Sequence, residues 1–109
     1  MKPMSLNSKT YVITPSDSSR SKNVSADVTE GSNVLLQNFT DQDVFCTATT
    51  GAGTAVFPTT STTRNGQTIR AGESMTFEWP SKDDTHLNCI QATAGSGDLH
   101  ITISKDKGI

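Results

Sequence analysis

A chain of 109 residues fits one domain and leaves no room for a second core. Nine Lys and Arg stand against eleven Asp and Glu, a net charge of −2, so there is no basic excess to neutralise a phosphate backbone and no nucleic-acid partner is expected. Seventeen Thr and thirteen Ser outnumber the twenty-one Leu, Ile, Val and Phe; this is close to the compositional limit for disorder, yet Thr and Val favour pleated strands where strong helix formers are scarce.

Residues 1 to 32 read as an extended N-terminal arm or peripheral strands, set apart from a β domain over residues 33 to 109. Residues 16 to 25 are Ser-rich and charged, and only Tyr11-Val12-Ile13 and the alternation Val24, Ala26, Val28 are apolar. The opening MKPMSLNSKT has no apolar run of signal-peptide length and no segment approaches 18 apolar residues, so synthesis in a cytoplasm and no membrane partner are expected.

From Asn33 the strands sharpen. Val34-Leu35-Leu36-Gln37 is a short apolar strand, Asp41-Gln42-Asp43 a polar turn, and Val44, Cys46 and Ala48 share one face of the next strand. The spacing predicts a hairpin between these two. Gly51-Ala52-Gly53 breaks the pattern, and the Thr-rich segment to Gly66 reads as a long surface loop or short edge strand around Val56-Phe57-Pro58. Gln67-Thr68-Ile69 leads to a turn at Arg70-Ala71-Gly72-Glu73.

Met75, Phe77 and Trp79 then alternate with Thr76 and Glu78, and Pro80 stops the strand. Residues 87 to 93 form a strand, Gly95-Ser96-Gly97 turns the chain, and Leu99, Ile101 and Ile103 alternate with polar residues. The last two strands are predicted to pair as a tight hairpin. Met75, Phe77, Trp79, Leu99, Ile101 and Ile103 are expected to share one core, with Phe77→Ala costing about 3–5 kcal/mol. Six or seven strands without a helical stretch predict an all-β fold, an antiparallel β-sandwich of jelly-roll or Ig-like type, with a closed barrel as the alternative.

No residues are assigned as catalytic, cofactor-binding or metal-ligating, and no enzyme is expected. A nucleophilic triad needs an imidazole beside an activated Ser or Cys; His86 lies in the polar stretch DDTH, and His100 falls on the solvent face of its strand. Asp83-Asp84 reads as a solvated turn, and the two Gly-x-Gly pieces lack the helix of a phosphate loop. Cys46 and Cys89 lie in apolar strands and are expected to be buried, reduced thiols. Asn23-Val24-Ser25 and Asn38-Phe39-Thr40 match the glycosylation pattern, which Ser/Thr-rich chains produce by chance; both are expected to be idle.

Over residues 34 to 104 the order of pieces is VLLQNFTDQDVFCTATTGAG, a Thr-rich loop, QTIRAGESMTFEWP and HLNCIQATAGSGDLHITIS. This resembles small β-sandwich accessory virion proteins of tailed bacteriophages, the capsid decoration (cement) and head-fibre-like proteins. In that group a V-x-x-Q-N strand precedes an I-x-A-G-E turn, an F-x-x-P strand and an I-x-A-x-x-x-G-x-x-x-L-x-I hairpin. Matching positions here are Gln37 and Asn38; Ile69, Ala71, Gly72 and Glu73; Phe77 and Pro80; and, with the glycine one residue later and the last two positions one residue earlier than that spacing, Ile90, Ala92, Gly97, Leu99 and Ile101.

The resemblance implies a non-enzymatic structural protein on the virion's capsid surface. It would bind the major capsid protein as a homotrimer, with the arm adding contacts by joining an exposed strand edge. A head-to-tail or tail component, or a carbohydrate-binding adhesive module, is the alternative expectation.

Overall fold

The computed structural model describes residues 8–59 and 65–107. Eight strands run through them: β1 (Lys9–Ile13), β2 (Arg20–Asn23), β3 (Ser32–Asn38), β4 (Val44–Thr49), β5 (Gln67–Ile69), β6 (Ser74–Glu78), β7 (His86–Gln91) and β8 (Leu99–Lys107). They form two antiparallel sheets, one in the order β1-β8-β3-β6 and the other β2-β7-β4-β5.

This order is that of a jelly roll. β1 pairs with β8, β2 with β7, β3 with β6 and β4 with β5, so the chain is one long antiparallel ribbon that doubles back between β4 and β5. Rolling that ribbon up brings β8 against β3 and β7 against β4. Of the two expected sandwich types, this is the jelly roll; an Ig-like order would keep β1 and β2 in one sheet.

Both expected hairpins are corrected. β3 and β4 lie in different sheets, as do β7 and β8, and only β4 and β5 pair as sequence neighbours. The polar turn at 39–43 and the Gly-rich turn at 92–98 cross the roughly 10 Å between the sheets instead of reversing within one. They then bind each other. Phe39 N–H donates to Asp98 O (2.9 Å), Asp41 N–H to Ser96 O (3.1 Å), and Ser96 N–H to Asp41 Oδ1 (2.8 Å). Gly97, at φ 100°, is so close to the Phe39 carbonyl that a Cβ would collide with it.

The arm reading and the boundary at Asn33 are also corrected in favour of peripheral strands. β1 is the outer strand of one sheet and β2 of the other, and Ile13 and Val24 are buried in the same core as the rest. β2 falls on the polar Arg20-Ser21-Lys22-Asn23, just before the Val24, Ala26, Val28 alternation. A charged sheet margin discourages pairing with other chains, and it carries little of the apolar periodicity by which strands are recognised.

The core is the space between the sheets. Val34, Leu36, Leu99, Ile101 and Ile103 enter from one sheet, and Val44, Cys46, Ile69, Leu87 and Cys89 from the other. Trp79, 3% exposed, closes one end and donates Nε1–H to Asp84 O (2.9 Å). Of the six expected core residues four are buried; Met75 and Phe77, on the outer strand β6, pack against the core half-exposed.

Asn38 organises the first crossover. Its Nδ2 donates to Gln42 O (2.9 Å) and Ile69 O (2.8 Å), while Oδ1 accepts from Thr40 N–H (2.9 Å) and Thr40 Oγ1 (2.6 Å). All four hydrogen-bonding positions of a buried amide are used. Asn38→Ala would leave buried carbonyls unpaired and is expected to cost about 2–4 kcal/mol in urea titration; a loss under about 0.5 kcal/mol would contradict this role.

Three groups, raised in the folded state, contribute stability that is lost at alkaline pH. Burial, and then the Asp27 carboxylate that accepts its hydroxyl hydrogen bond, push Tyr11 from 10 to about 12. Burial raises the Cys89 thiol from 9 to about 12, against the opposing Arg20 guanidinium, and carries Cys46 well above its usual value. Groups raised in the folded state contribute stability that is complete below the unfolded pKa and lost as pH climbs through the folded one. Urea midpoints should therefore fall between about pH 9 and 12, and Tyr11→Phe should shrink the fall above pH 10. Midpoints level up to pH 12 would contradict this.

Candidate interaction surface

The two sheets present very different outer faces. On the β2-β7-β4-β5 sheet, residues 51–57 lie across the strands. Asn88 holds them down from the middle of β7. Its Oδ1 accepts from Gly53 N–H (3.0 Å) and Ser21 Oγ (2.6 Å), and its Nδ2 donates to Thr47 Oγ1 (3.1 Å) and Thr49 Oγ1 (2.8 Å). Ala55 N–H donates to Ser19 Oγ (2.7 Å), Ala55 is buried, and the Phe57 ring meets Phe45 edge-on at 6.2 Å. A Cβ on Gly53 would lie 2.7 Å from Thr49 Oγ1 and 2.9 Å from Asn88 Nδ2, so this close approach requires glycine. The expected surface loop thus serves as a cover, burying Phe45 and Asn88.

Among the described residues none forms such a cover over the middle of the β1-β8-β3-β6 sheet. Register places Thr10, Thr102, Leu35 and Thr76 in one outward row and Val12, His100, Gln37 and Ser74 in the next. Neither row contains Lys, Arg, Asp or Glu. Val12 is 46% exposed; Phe39, just past β3, is 57% exposed with its ring edge-to-face on His100 at 4.8 Å. Thr10 and Thr102 hydroxyls bond each other at 3.0 Å. An uncharged, Thr-bearing face with exposed apolar residues has a low desolvation cost and suits burial against another protein.

A cleft of about 190 Å³ opens between the sheets beside β5 and β6, lined by Leu36, Cys46, Ala48, Phe77, Trp79 and Leu87 among others. Its walls are mainly aliphatic and aromatic, with Thr47, Gln67 and Glu78 the polar side chains among its lining.

His86 and His100 lie on opposite sheets, with His86 Nδ1 2.8 Å from Thr85 Oγ1. Asp83 and Asp84 sit in the β6–β7 connection, where Asp83 N–H donates to Ser81 Oγ (3.1 Å). Cys46 and Cys89 are free, buried thiols, as expected, and face each other across β4 and β7. The Asn38 amide is consumed inside the protein and is closed to glycosylation, whereas Asn23 is exposed. Among the described residues no three His, Cys, Asp or Glu side chains converge as metal ligands.

Sequence reasoning missed the open face and the Asn88 clamp. Val12 stands between inward Tyr11 and Ile13, so its outward direction was present in the alternation. Asn88, a polar residue between Leu87 and Cys89, was the other signal. Neither the family models, nor the curated proteins, nor the solved structures compared with this chain match it.

Proposed function

We propose that the protein is an accessory virion component of a tailed phage that binds the outside of the assembled capsid as a homotrimer, without catalysis, and stabilises the shell. The observation that carries this reading is the asymmetry of the two faces among the described residues: residues 51–57 cover one sheet, while the other is open and uncharged across two rows, one of which carries exposed Val12, with exposed Phe39 beside it. The motif resemblance over residues 34 to 104 supplies the identity of the partner and the trimer. Attachment rests on the open face, because β1 and β2 already have partners within the sheets.

Mechanistically, a ligand that binds only the assembled shell stabilises it by mass action, by about 2.7 kcal/mol per site at a hundredfold excess over Kd. Contacts across capsomer joints are enough.

The test is co-sedimentation with empty expanded capsids of the virus that encodes the chain. Wild type and Ser18→Lys, altered on an exposed turn away from the open face, should pellet with capsids. Val12→Glu combined with Thr76→Lys should stay in the supernatant while remaining folded. Equal pelleting of all three removes the open face from the mechanism. Wild type left in the supernatant overturns the capsid reading, with binding to glycans or ring formation then pointing to the adhesive or tail alternatives.

A further inference from the structure

We propose that Cys46 and Cys89 form a pre-registered dithiol which peroxide, entering through the cleft between the sheets, converts to a disulfide across β4 and β7. The inference is independent of the capsid reading. It rests on register and access together.

Cys46 and Cys89 are direct partners on adjacent antiparallel strands. In the same ladder Ala92 N–H donates to Asp43 O (3.1 Å). Hydrogen-bonded and non-hydrogen-bonded pairs alternate along such a ladder, so Phe45 with Ile90 and Thr47 with Asn88 are hydrogen-bonded pairs. Cys46 with Cys89 is therefore a non-hydrogen-bonded pair. The Cα atoms of such pairs lie about 4.5 Å apart with side chains drawn together, inside the range a disulfide spans. Both thiols point into the core, so the bond would form without moving either strand.

Access is unequal. Cys46 lines the cleft, whereas Cys89 has no exposed surface and does not line it. A small, uncharged oxidant such as hydrogen peroxide can enter this mainly apolar cleft and reach Cys46. The Cys46 sulfur attacks one peroxide oxygen, the O–O bond breaks, and Cys46 becomes a sulfenic acid with release of water. The Cys89 sulfur then attacks the Cys46 sulfur; the S–O bond breaks and the departing hydroxide takes the Cys89 proton as a second water. Two thiols are oxidised, one peroxide is reduced, and atoms balance. Arg20, the register partner of Cys89 on β2, favours the Cys89 thiolate, while burial opposes it. The reaction should accordingly be slow.

The experiment treats the reduced, folded protein with hydrogen peroxide, then unfolds it in N-ethylmaleimide and weighs it intact. The expected product is a monomer lighter by about 2 Da that takes no maleimide and is restored by dithiothreitol. Its melting temperature should be higher by about 10 °C, since the bond closes a long loop in the unfolded chain. Adding dimedone during oxidation should label Cys89→Ser at Cys46 and leave Cys46→Ser unlabelled. Should a variant fail to fold, tryptic mapping of dimedone-labelled wild type gives the same order of attack. Two maleimides still taken up after prolonged exposure, a disulfide-linked dimer, or dimedone on Cys89 first would overturn the proposal.

Discussion

Deleting residues 1–30 is expected to leave a chain that does not fold. The deletion removes β1 and β2, the outer strands of both sheets. Ile13 and Val24 leave the core, and each such side chain contributes about 1.5–3 kcal/mol by burial. The larger loss is along the new margins: β8 and β7 would expose the edges that now pair with Lys9–Ile13 and Arg20–Asn23, uncovering Leu99, Ile101, Leu87 and Cys89 to water. Domains of this size have only about 5–15 kcal/mol to lose. Circular dichroism and amide proton dispersion should show an unstructured or aggregated chain. A truncated protein with a cooperative urea transition would place β1 and β2 outside the folding unit.

Trp79→Ala is expected to cost about 3–5 kcal/mol, and Phe77→Ala only about 1–3 kcal/mol. Sequence alternation alone puts both rings on one inner face and gives them equal weight. The structure separates them. Trp79 is 3% exposed, fills the end of the core and holds the β6–β7 connection through Asp84 O, whereas Phe77 is half-exposed on an outer strand and borders space already open as the cleft. Both rings line the cleft, but Phe77 is only partly buried, whereas removing Trp79 takes away a fully buried side chain and leaves the Asp84 carbonyl without its donor. Urea midpoints of both variants decide the matter, and a larger loss for Phe77→Ala would reverse the assignment.

What the sequence revealed follows from what alternation can encode. β4 was readable to the residue, because Val44, Cys46 and Ala48 face the core, and the first six residues of β8 because Leu99, Ile101 and Ile103 do; its continuation to Lys107 is polar and carried no such signal. β2 was not, since a polar outer strand with no inward apolar run carries no period-two signal. Pairing was the larger gap. A run of alternating residues specifies that a strand has an inner face, but the connections at 39–43 and 92–98 have the same turn residues whether they fold back or cross between sheets. The loop-to-loop bonds from Asp41 to Ser96 that settle the crossing join positions far apart in the chain. The open face was hidden for the same reason: Thr10, Thr102, Leu35 and Thr76 become one row only once the sheet order is known.

The proposed capsid role is tested most directly by scanning calorimetry of empty expanded capsids, of the phage to which the proposal assigns the chain, with increasing amounts of the protein. Binding confined to the assembled shell raises the capsid melting temperature with the logarithm of protein concentration, continuing to climb after the sites are filled. The Val12→Glu, Thr76→Lys variant should leave that temperature where it is without the protein. A capsid transition unmoved by saturating wild-type protein, or raised equally by the open-face variant, would contradict a shell-stabilising role for this face.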